Sequence, residues 1–240
     1  MKKVLIMDSG SGAVNILAEC QKVGCGADFL VYCDNKNLPY GNKTKDNLIC
    51  TTIQNLENIR TFFDYDIVVF ACNTLTAVCI EFCREKFDDC IFIGVEPEIK
   101  PALKIFQPQK ILVLATENTL KNNRSIICSD VQKVHLDWLA GEIDSNLDNL
   151  HAVSKKVTKS LLPLDFDAVV LGCTHYISLQ KYLKQDFFDK KFFCGANGVA
   201  NRLKSFLDNE TKSKVQFIVT GDSHFLPVLY NFYQSILKEF

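Results

Sequence analysis

Two short segments of the chain follow the same pattern and end in a cysteine. Residues 64–74 read DYDIVVFACNT, and residues 165–176 read DFDAVVLGCTHY. Each begins with two aspartates, continues through an apolar run and reaches a thiol, Cys72 or Cys173, at a constant offset (173 − 72) of 101 residues. A thiolate can remove a proton, and a thiol can supply one. If two related halves of the chain face each other, the segments predict an acid–base site with one sulfur on either side.

Polar residues follow both cysteines. Asn73 and Thr74 come after the first thiol, and Thr174 and His175 come after the second. Because a helix N-terminus offers free N–H groups and a favourable dipole, such positions suit carboxylate binding. The same field is expected to lower a thiol pKa from its usual value of about 8.5. His175 is close enough in sequence to the second thiol to relay or orient a proton.

Strands and helices alternate along the chain. Apolar runs that end in small or polar residues are KKVLIMDSG, DFLVYCD, DIVVFACN, CIFIGVEP, KILVLATEN, AVVLGCTH, KFFCGAN and VQFIVTGD. Stretches of helical length include 13–23, 44–63, 74–87, 146–160 and 199–208, and an amphipathic helix closes the chain. This alternation predicts an α/β fold with mostly parallel sheets covered on both faces. Reactive groups then gather at the carboxyl ends of the strands.

A second repeat supports two related halves. Residues 3–15 align with residues 110–122, in the same order as the cysteine-ended pair. We expect two similar α/β domains related by an approximate two-fold axis, with the active site in the cleft between them. Chance similarity between buried strands is the alternative for this second repeat.

Composition narrows the function classes. The 240 residues carry a net charge of −1, which gives no indication of nucleic-acid or membrane partners. The eleven cysteines contain no CxxC pair and no zinc-finger spacing. The N-terminal MKKVLIMDSGSG is better explained as a first strand than as a signal peptide, so we expect a cytoplasmic protein without disulfides.

Seven motifs, taken together, resemble those of a known family. They are DSGSG (8–12), LPYGNK (38–43), ACNT (71–74), GVEP (94–97), ATENT (115–119), GCTHY (172–176) and TGD (220–222). In this order they resemble the glutamate racemases, which belong to the cofactor-independent aspartate/glutamate racemase superfamily. The resemblance implies a first domain of residues 1–95 plus 208–240 and a second domain of residues 96–207. It also implies that no pyridoxal phosphate, metal or nucleotide takes part.

The resemblance assigns roles to individual residues. Cys72 would act on D-glutamate with help from Asp8, and Cys173 would act on L-glutamate with help from His175. The residues that would hold the amino acid are Ser9, Pro39, Tyr40, Gly41, Asn73, Thr74, Thr116, Thr119 and Thr174. The implied product, D-glutamate, would serve peptidoglycan synthesis, and a homodimer is expected.

Some points stay open at this level. The family carries an acid near the second cysteine, and LAGEID (139–144) offers either Glu142 or Asp144 for this role. The alternatives for function are a racemase of aspartate or another amino acid, and an inactive homologue that binds an amino acid. A cysteine hydrolase using Cys173 and His175 would leave Cys72 without a role.

Overall fold

The computed structural model describes residues 1–207 and 212–238 and contains two parallel sheets with helices packed on them. The strands are β1 (Lys3–Asp8), β2 (Asp28–Cys33), β3 (Ile67–Phe70), β4 (Ile91–Gly94), β5 (Ile111–Ala115), β6 (Gln132–His135), β7 (Ala168–Leu171), β8 (Lys191–Cys194) and β9 (Lys214–Val219). The helices are α1 (Gly12–Lys22), α2 (Lys45–Arg60), α3 (Asn73–Lys86), α4 (Ile99–Leu103), α5 (Glu117–Asn122), α6 (Arg124–Ile127), α7 (Asp137–Asp144), α8 (Leu150–Leu161), α9 (Gln180–Asp186), α10 (Ala196–Lys204) and α11 (Phe225–Leu237).

The two sheets share one strand order. The larger sheet runs β4-β3-β1-β2-β9 and the smaller sheet runs β6-β5-β7-β8, with every strand pair parallel. Thus β2-β1-β3-β4 corresponds to β6-β5-β7-β8. The predicted α/β fold with two parallel sheets is confirmed. In each sheet the strand order switches sides at the first strand: the second strand of the half (β2 or β6) lies on one side of it and the third (β3 or β7) on the other. Open parallel sheets bind ligands at the carboxyl ends of the strands beside such a switch.

The buried strands explain the continuous apolar runs. Strands β3 and β7 are buried along their whole length because helices cover both faces of each sheet. The largest hydrophobic cluster contains Ile6 and Val69 from the larger sheet together with Leu112 and Val169 from the smaller one. The two sheets therefore share a continuous core, which fixes the strand ends of one half against those of the other.

Several boundaries differ from the sequence predictions. The sequence patterns miss β6, whose residues alternate between half-buried and exposed and so form no apolar run. The predicted helix at 146–160 begins later, at Leu150, because the Asn149 side chain accepts a hydrogen bond from the Ala152 N–H and caps the helix. The predicted helix at 199–208 begins earlier, at Ala196, and its last predicted residue lies outside the described residues.

The end of the chain returns to the larger sheet. Strand β9 pairs with β2, from Asp28–Lys214 to Cys33–Val219. Within the predicted first domain, residues 208–211 and 239–240 lie outside the described residues. No helix in residues 1–207 and 212–238 combines the length and the apolar character needed to cross a membrane.

Candidate active site

Four strand ends bring the predicted site residues together. Asp8 is the last residue of β1, and Cys72 follows the neighbouring strand β3. In the other sheet, Thr116 follows β5, and Cys173 lies just beyond the neighbouring strand β7. The sites at the two sheets are therefore built in the same way, each from the first strand of its half and the strand beside it.

Almost every predicted site residue is buried. Pro39 is half-buried, and the others are buried: Asp8, Ser9, Tyr40, Gly41, Cys72, Asn73, Thr74, Thr116, Thr119, Cys173, Thr174 and His175. Charges and polar groups held away from water interact more strongly than they do at a surface. The arrangement is therefore suited to chemistry that requires the exclusion of solvent.

Cys72 stands at the N-terminus of α3. Burial raises the pKa of its thiol well above the usual value, and the neighbouring Asp8 and Cys173 side chains raise it further. The N–H groups of Leu75 and Thr74 lower the same pKa. The predicted lowering of the thiol pKa by the helix N-terminus is therefore present but outweighed, so the net direction expected from the sequence is wrong for Cys72. The Cys72 thiol is protonated at neutral pH.

Asp8 is a fully buried carboxyl group beside His175. Burial raises its pKa to about 6, although the charge of His175 and the Ser9 N–H oppose that shift. Its Oδ1 accepts a hydrogen bond from the Ser9 N–H at 2.6 Å, and its Oδ2 accepts one from the Thr174 hydroxyl at 3.0 Å. Because Thr174 belongs to the second half, this bond links the end of β1 directly to the second cysteine segment.

His175 lies between two carboxylates and the second cysteine. Its Nδ1 is 3.8 Å from Cys173 Sγ and 3.8 Å from Asp8 Oδ2, and its Nε2 is 3.4 Å from Asp144 Oδ2. Burial lowers the pKa of His175, but the charges of Asp144 and Asp8 outweigh burial and hold that pKa well above its usual value. The imidazole is therefore positively charged at neutral pH and faces the second thiol.

The structure distinguishes between Glu142 and Asp144, the two candidates from the sequence for the acid near the second cysteine. Asp144 is buried and lies against His175. Glu142 is instead bound to the Lys156 ammonium at the helix surface. Asp144 is thus the carboxylate near the second cysteine. Its Oδ2 and His175 Nε2 form an ion pair rather than an aligned hydrogen bond, and Nε2 has no hydrogen-bond partner among the described residues.

Three threonine hydroxyls form a second link between the halves. Thr74 Oγ1 lies 3.0 Å from Thr116 Oγ1 and 3.2 Å from Thr119 Oγ1, and the latter two hydroxyls are 3.1 Å apart. Thr116 also caps α5 by accepting the Thr119 N–H. A cluster of hydroxyls beside a helix N-terminus can donate several hydrogen bonds to a carboxylate.

Tyr40 is positioned by a carboxylate that the sequence analysis did not select. Its hydroxyl donates a hydrogen bond of 2.8 Å to Asp34 Oδ2. Asp34 also accepts hydrogen bonds from Asn55 and from Thr220 of the TGD motif, at 3.0 and 2.7 Å. A Cβ on Gly41 would lie 2.8 Å from Thr116 Cβ, so only glycine lets this segment reach the threonine cluster. The position of Asp34 directly after β2 was the available sequence signal.

Asn15 and Ser11 also hold the site and were not predicted. Asn15 Nδ2 donates to the Thr174 carbonyl at 2.9 Å and to Ser178 Oγ at 2.8 Å. Ser11 donates its N–H and its hydroxyl to Asp144. Both contacts join residues far apart in sequence, so spacing alone carried no signal for them. Asn73, which was predicted as a site residue, takes no part in the hydrogen bonds between the halves described above. Its side-chain amide donates to the Val95 carbonyl at 3.3 Å.

One group of metal-ligand type lies near α5 but outside this buried site. The ligand atoms of Glu117, His135 and Asp137 lie within 4.8 Å of one another, and the first two residues are exposed. Asp137 contacts His135 and accepts the Glu117 N–H at 2.9 Å, while Lys121 pairs with Glu117.

A cavity of about 1170 Å³ opens beside Asp144. It is lined by residues of α1, α8, α9 and α11, and Asn15 and Asp144 form part of its wall. Neither cysteine lines this cavity. The chemistry-bearing groups therefore lie behind its wall, in the buried region between the sheets.

Known proteins resemble this chain over nearly its whole length. No protein-family model matches it. A glutamate racemase from Buchnera aphidicola is 31% identical over 249 residues, covering 95% of this chain and 94% of the relative. One from Clostridium botulinum is 32% identical, covering 87% of this chain and 84% of the relative.

Solved structures agree with this result. A glutamate racemase isoform from Bacillus anthracis matches with a TM-score of 0.83 at 23% identity, over 98% of this chain and 94% of the other, which supports the fold. The Escherichia coli enzyme, solved with L-glutamate and the activator UDP-MurNAc-Ala, matches with a TM-score of 0.79 at 25% identity, over 96% of this chain and 95% of the other.

Proposed function

Because this chain belongs to the glutamate racemase family, we propose that it interconverts L- and D-glutamate with Cys72 and Cys173 as the two acid–base groups. The observation that carries the proposal is the placement of the two buried thiols at equivalent strand ends. Asp8 lies beside the first thiol and the charged His175–Asp144 pair beside the second. Members of this family are amino-acid racemases, a class of isomerase, and their substrate is glutamate.

The reaction moves one proton on each side of the α-carbon. The Cys173 thiolate removes the α-proton of L-glutamate, and the Cys72 thiol donates its own proton to the opposite face, which yields D-glutamate. Cys173 is then a thiol and Cys72 a thiolate, which is the state that acts on D-glutamate. Two opposed bases avoid the need for one base to swing across the substrate, so the repeated segment matches a reaction whose product is the mirror image of its substrate.

The groups around the two sulfurs suit these roles. Burial keeps the Cys72 thiol protonated, as a proton donor toward L-glutamate requires. The charged His175 imidazole lies 3.8 Å from Cys173 Sγ, where it can assist the proton transfer at the second sulfur. The two sulfurs thus occupy equivalent strand ends but have differently charged neighbours.

The site must also stabilise a carbanion that bears two carboxylate groups. We propose that the threonine cluster of Thr74, Thr116 and Thr119 binds one carboxylate. The remaining residues proposed to hold the amino acid are Ser9, Pro39, Tyr40, Gly41, Asn73 and Thr174. Each tenfold gain in rate requires about 1.4 kcal/mol of stabilisation that is present only in the transition state. Fixed donors in a buried site are the usual source of such stabilisation.

Further proposals concern the chain as a whole. We propose a first domain of residues 1–95 plus 208–240 and a second of residues 96–207, and the return of β9 to the larger sheet supports this division. We also propose a cytoplasmic homodimer that supplies D-glutamate for peptidoglycan and needs no added cofactor.

Circular dichroism of purified protein with L-glutamate tests the activity. We expect the signal to decay to zero without any added cofactor, because equal amounts of the two enantiomers form at equilibrium. L-aspartate in a parallel sample tests the related racemase. Decay with aspartate and none with glutamate would overturn the substrate assignment, and binding of glutamate without decay would indicate the inactive homologue.

A further inference from the structure

Ser11 has an unusual position for a serine at the start of a helix. It is the residue before Gly12, where α1 begins, and serine is common there because its hydroxyl caps free N–H groups. The Ser11 side chain makes no such capping bond. Its hydroxyl is instead donated to Asp144 Oδ1, on the other half of the molecule. The hydroxyl is therefore used between the two halves rather than within the helix.

Two donors of Ser11 hold one carboxylate. Besides the hydroxyl, the Ser11 N–H lies 3.3 Å from Asp144 Oδ1 and 3.2 Å from Asp144 Oδ2. Ser11 is fully buried and Asp144 is nearly so. Because a buried carboxylate without donors is strongly disfavoured, these bonds determine where Asp144 can stand. They leave Oδ2 directed at His175 Nε2, 3.4 Å away.

The backbone around Ser11 is shaped to make this approach possible. A Cβ on Gly10 would lie 1.8 Å from Asp144 Oδ2 and 2.7 Å from His175 Nε2. A Cβ on Gly12 would lie 2.1 Å from Asp8 Oδ2 and 2.9 Å from His175 Nδ1. Glycines on both sides therefore bring the turn against the imidazole, and Ser11 is the residue of the turn whose side chain reaches Asp144.

We propose that Ser11 is a positioning residue for the proton transfer at Cys173. It orients Asp144, which holds His175, which in turn faces the Cys173 sulfur at 3.8 Å. This inference rests on the proposed racemase function. The contacts that run from Ser11 through Asp144 and His175 end at the second cysteine, so loss of the Ser11 hydroxyl slows that proton transfer more than the one at Cys72.

The first test is Ser11→Ala, assayed with glutamate that carries deuterium at the α-carbon. Loss of one hydrogen bond to a buried carboxylate is expected to lower kcat for L-glutamate on the order of tenfold. The transfer at Cys173 then limits the rate more strongly. The isotope effect on kcat/KM therefore rises for α-deuterated L-glutamate and falls for α-deuterated D-glutamate. A purely structural defect reduces the amount of active protein and leaves both isotope effects unchanged.

Ser154→Ala is the matched control, because Ser154 is also a buried serine and donates its hydroxyl to the His151 carbonyl on α8. It is expected to retain wild-type rates and isotope effects. Asp144→Asn supplies a second measurement: if Ser11 acts through Asp144, adding Ser11→Ala to Asp144→Asn lowers kcat by less than twofold. Should Ser11→Ala fail to fold, the nearly isosteric pair Ser11→Thr and Ser11→Val compares a retained with a lost hydroxyl.

The outcomes separate the two proposals. A wild-type protein that does not racemise glutamate contradicts the proposed function itself. An active wild type, together with a Ser11→Ala variant whose isotope effects do not move in opposite directions, overturns the role of Ser11 alone. The same is true if the effects of Ser11→Ala and Asp144→Asn are simply additive.

Discussion

His175 Nε2 lies 3.4 Å from Asp144 Oδ2, in a region where both side chains are nearly inaccessible to water. This ion pair, with Asp8 on the other side of the ring, keeps the imidazole charged despite its burial. Among the described residues, no cation contributes to the pKa of the first cysteine, which burial and the charge of Asp8 dominate. The two halves thus share a strand plan but place opposite charges next to their thiols.

Serine substitutions test the two sulfurs. Cys72→Ser and Cys173→Ser are each expected to lower racemisation at least a thousandfold, since an alcohol is a far weaker acid than a thiol and cannot replace it as a base. Steady-state rates in both directions and a thermal melt are the measurements. Cys50→Ser, at an exposed thiol on α2, is the control and is expected to be active. Near wild-type turnover in either site variant would contradict the two-base mechanism.

A pair of amide substitutions separates the two acids of α7. Asp144→Asn removes the negative charge that faces His175, so kcat is expected to fall by about ten- to a hundredfold. Glu142→Gln is a change of the same kind at a surface position paired with Lys156, and we expect it to leave kcat unchanged. Equal losses in both variants, at unchanged melting temperature, would argue against a specific role for Asp144.

The pH profile reports on Asp8. Its folded-state pKa, about 6, lies above the ordinary value of 3.8, so the carboxylate form is present above pH 6 and is lost as the pH falls. If Asp8 acts as a carboxylate beside Cys72, kcat/KM falls about tenfold per pH unit below this point. Asp8→Asn is expected to be slow at every pH and to lack this acidic limb. An unchanged limb in that variant would assign the titration to another group.

Glycine substitutions probe how closely the turn before α1 packs. Gly10→Ala places a Cβ 1.8 Å from Asp144 Oδ2, so the carboxylate must move away from His175. We expect a destabilisation of about 1–3 kcal/mol and a large loss of kcat. Gly141→Ala is the matched control, because a Cβ there meets no atom within 4 Å, and it is expected to stabilise α7 by about 0.5–1 kcal/mol. Urea unfolding and kinetics measure both effects.

The central parts of the fold were predictable because they depend on local patterns. Apolar runs ending at Asp8, Cys72 and Cys173 identified buried parallel strands, and parallel strands place their ends at one edge. Strand β6 was missed because QKVH is half-exposed and sits at the edge of its sheet, where no apolar run is needed.

The supporting residues could not be found in the same way. Asp144 and Ser11 are 133 residues apart, and their contact arises only when the two halves pack together. The direction in which the Cys72 pKa shifts could not be predicted from the sequence either, because it depends on how completely the thiol is buried. A helix N-terminus, whose N–H groups lower a thiol pKa, can be predicted from sequence. The burial that raises the same pKa cannot.

The most direct test of the two-base account is proton NMR of L-glutamate with the purified protein in D₂O. During the first turnovers, D-glutamate is expected to carry deuterium at the α-carbon, while the remaining L-glutamate keeps its proton, because removal and delivery occur at different sulfurs. Circular dichroism of the same sample reports the total conversion. If L-glutamate gains deuterium at the same initial rate as D-glutamate forms, or if the product retains the original proton, a single base acts and the assignment of Cys72 and Cys173 as opposed partners is wrong.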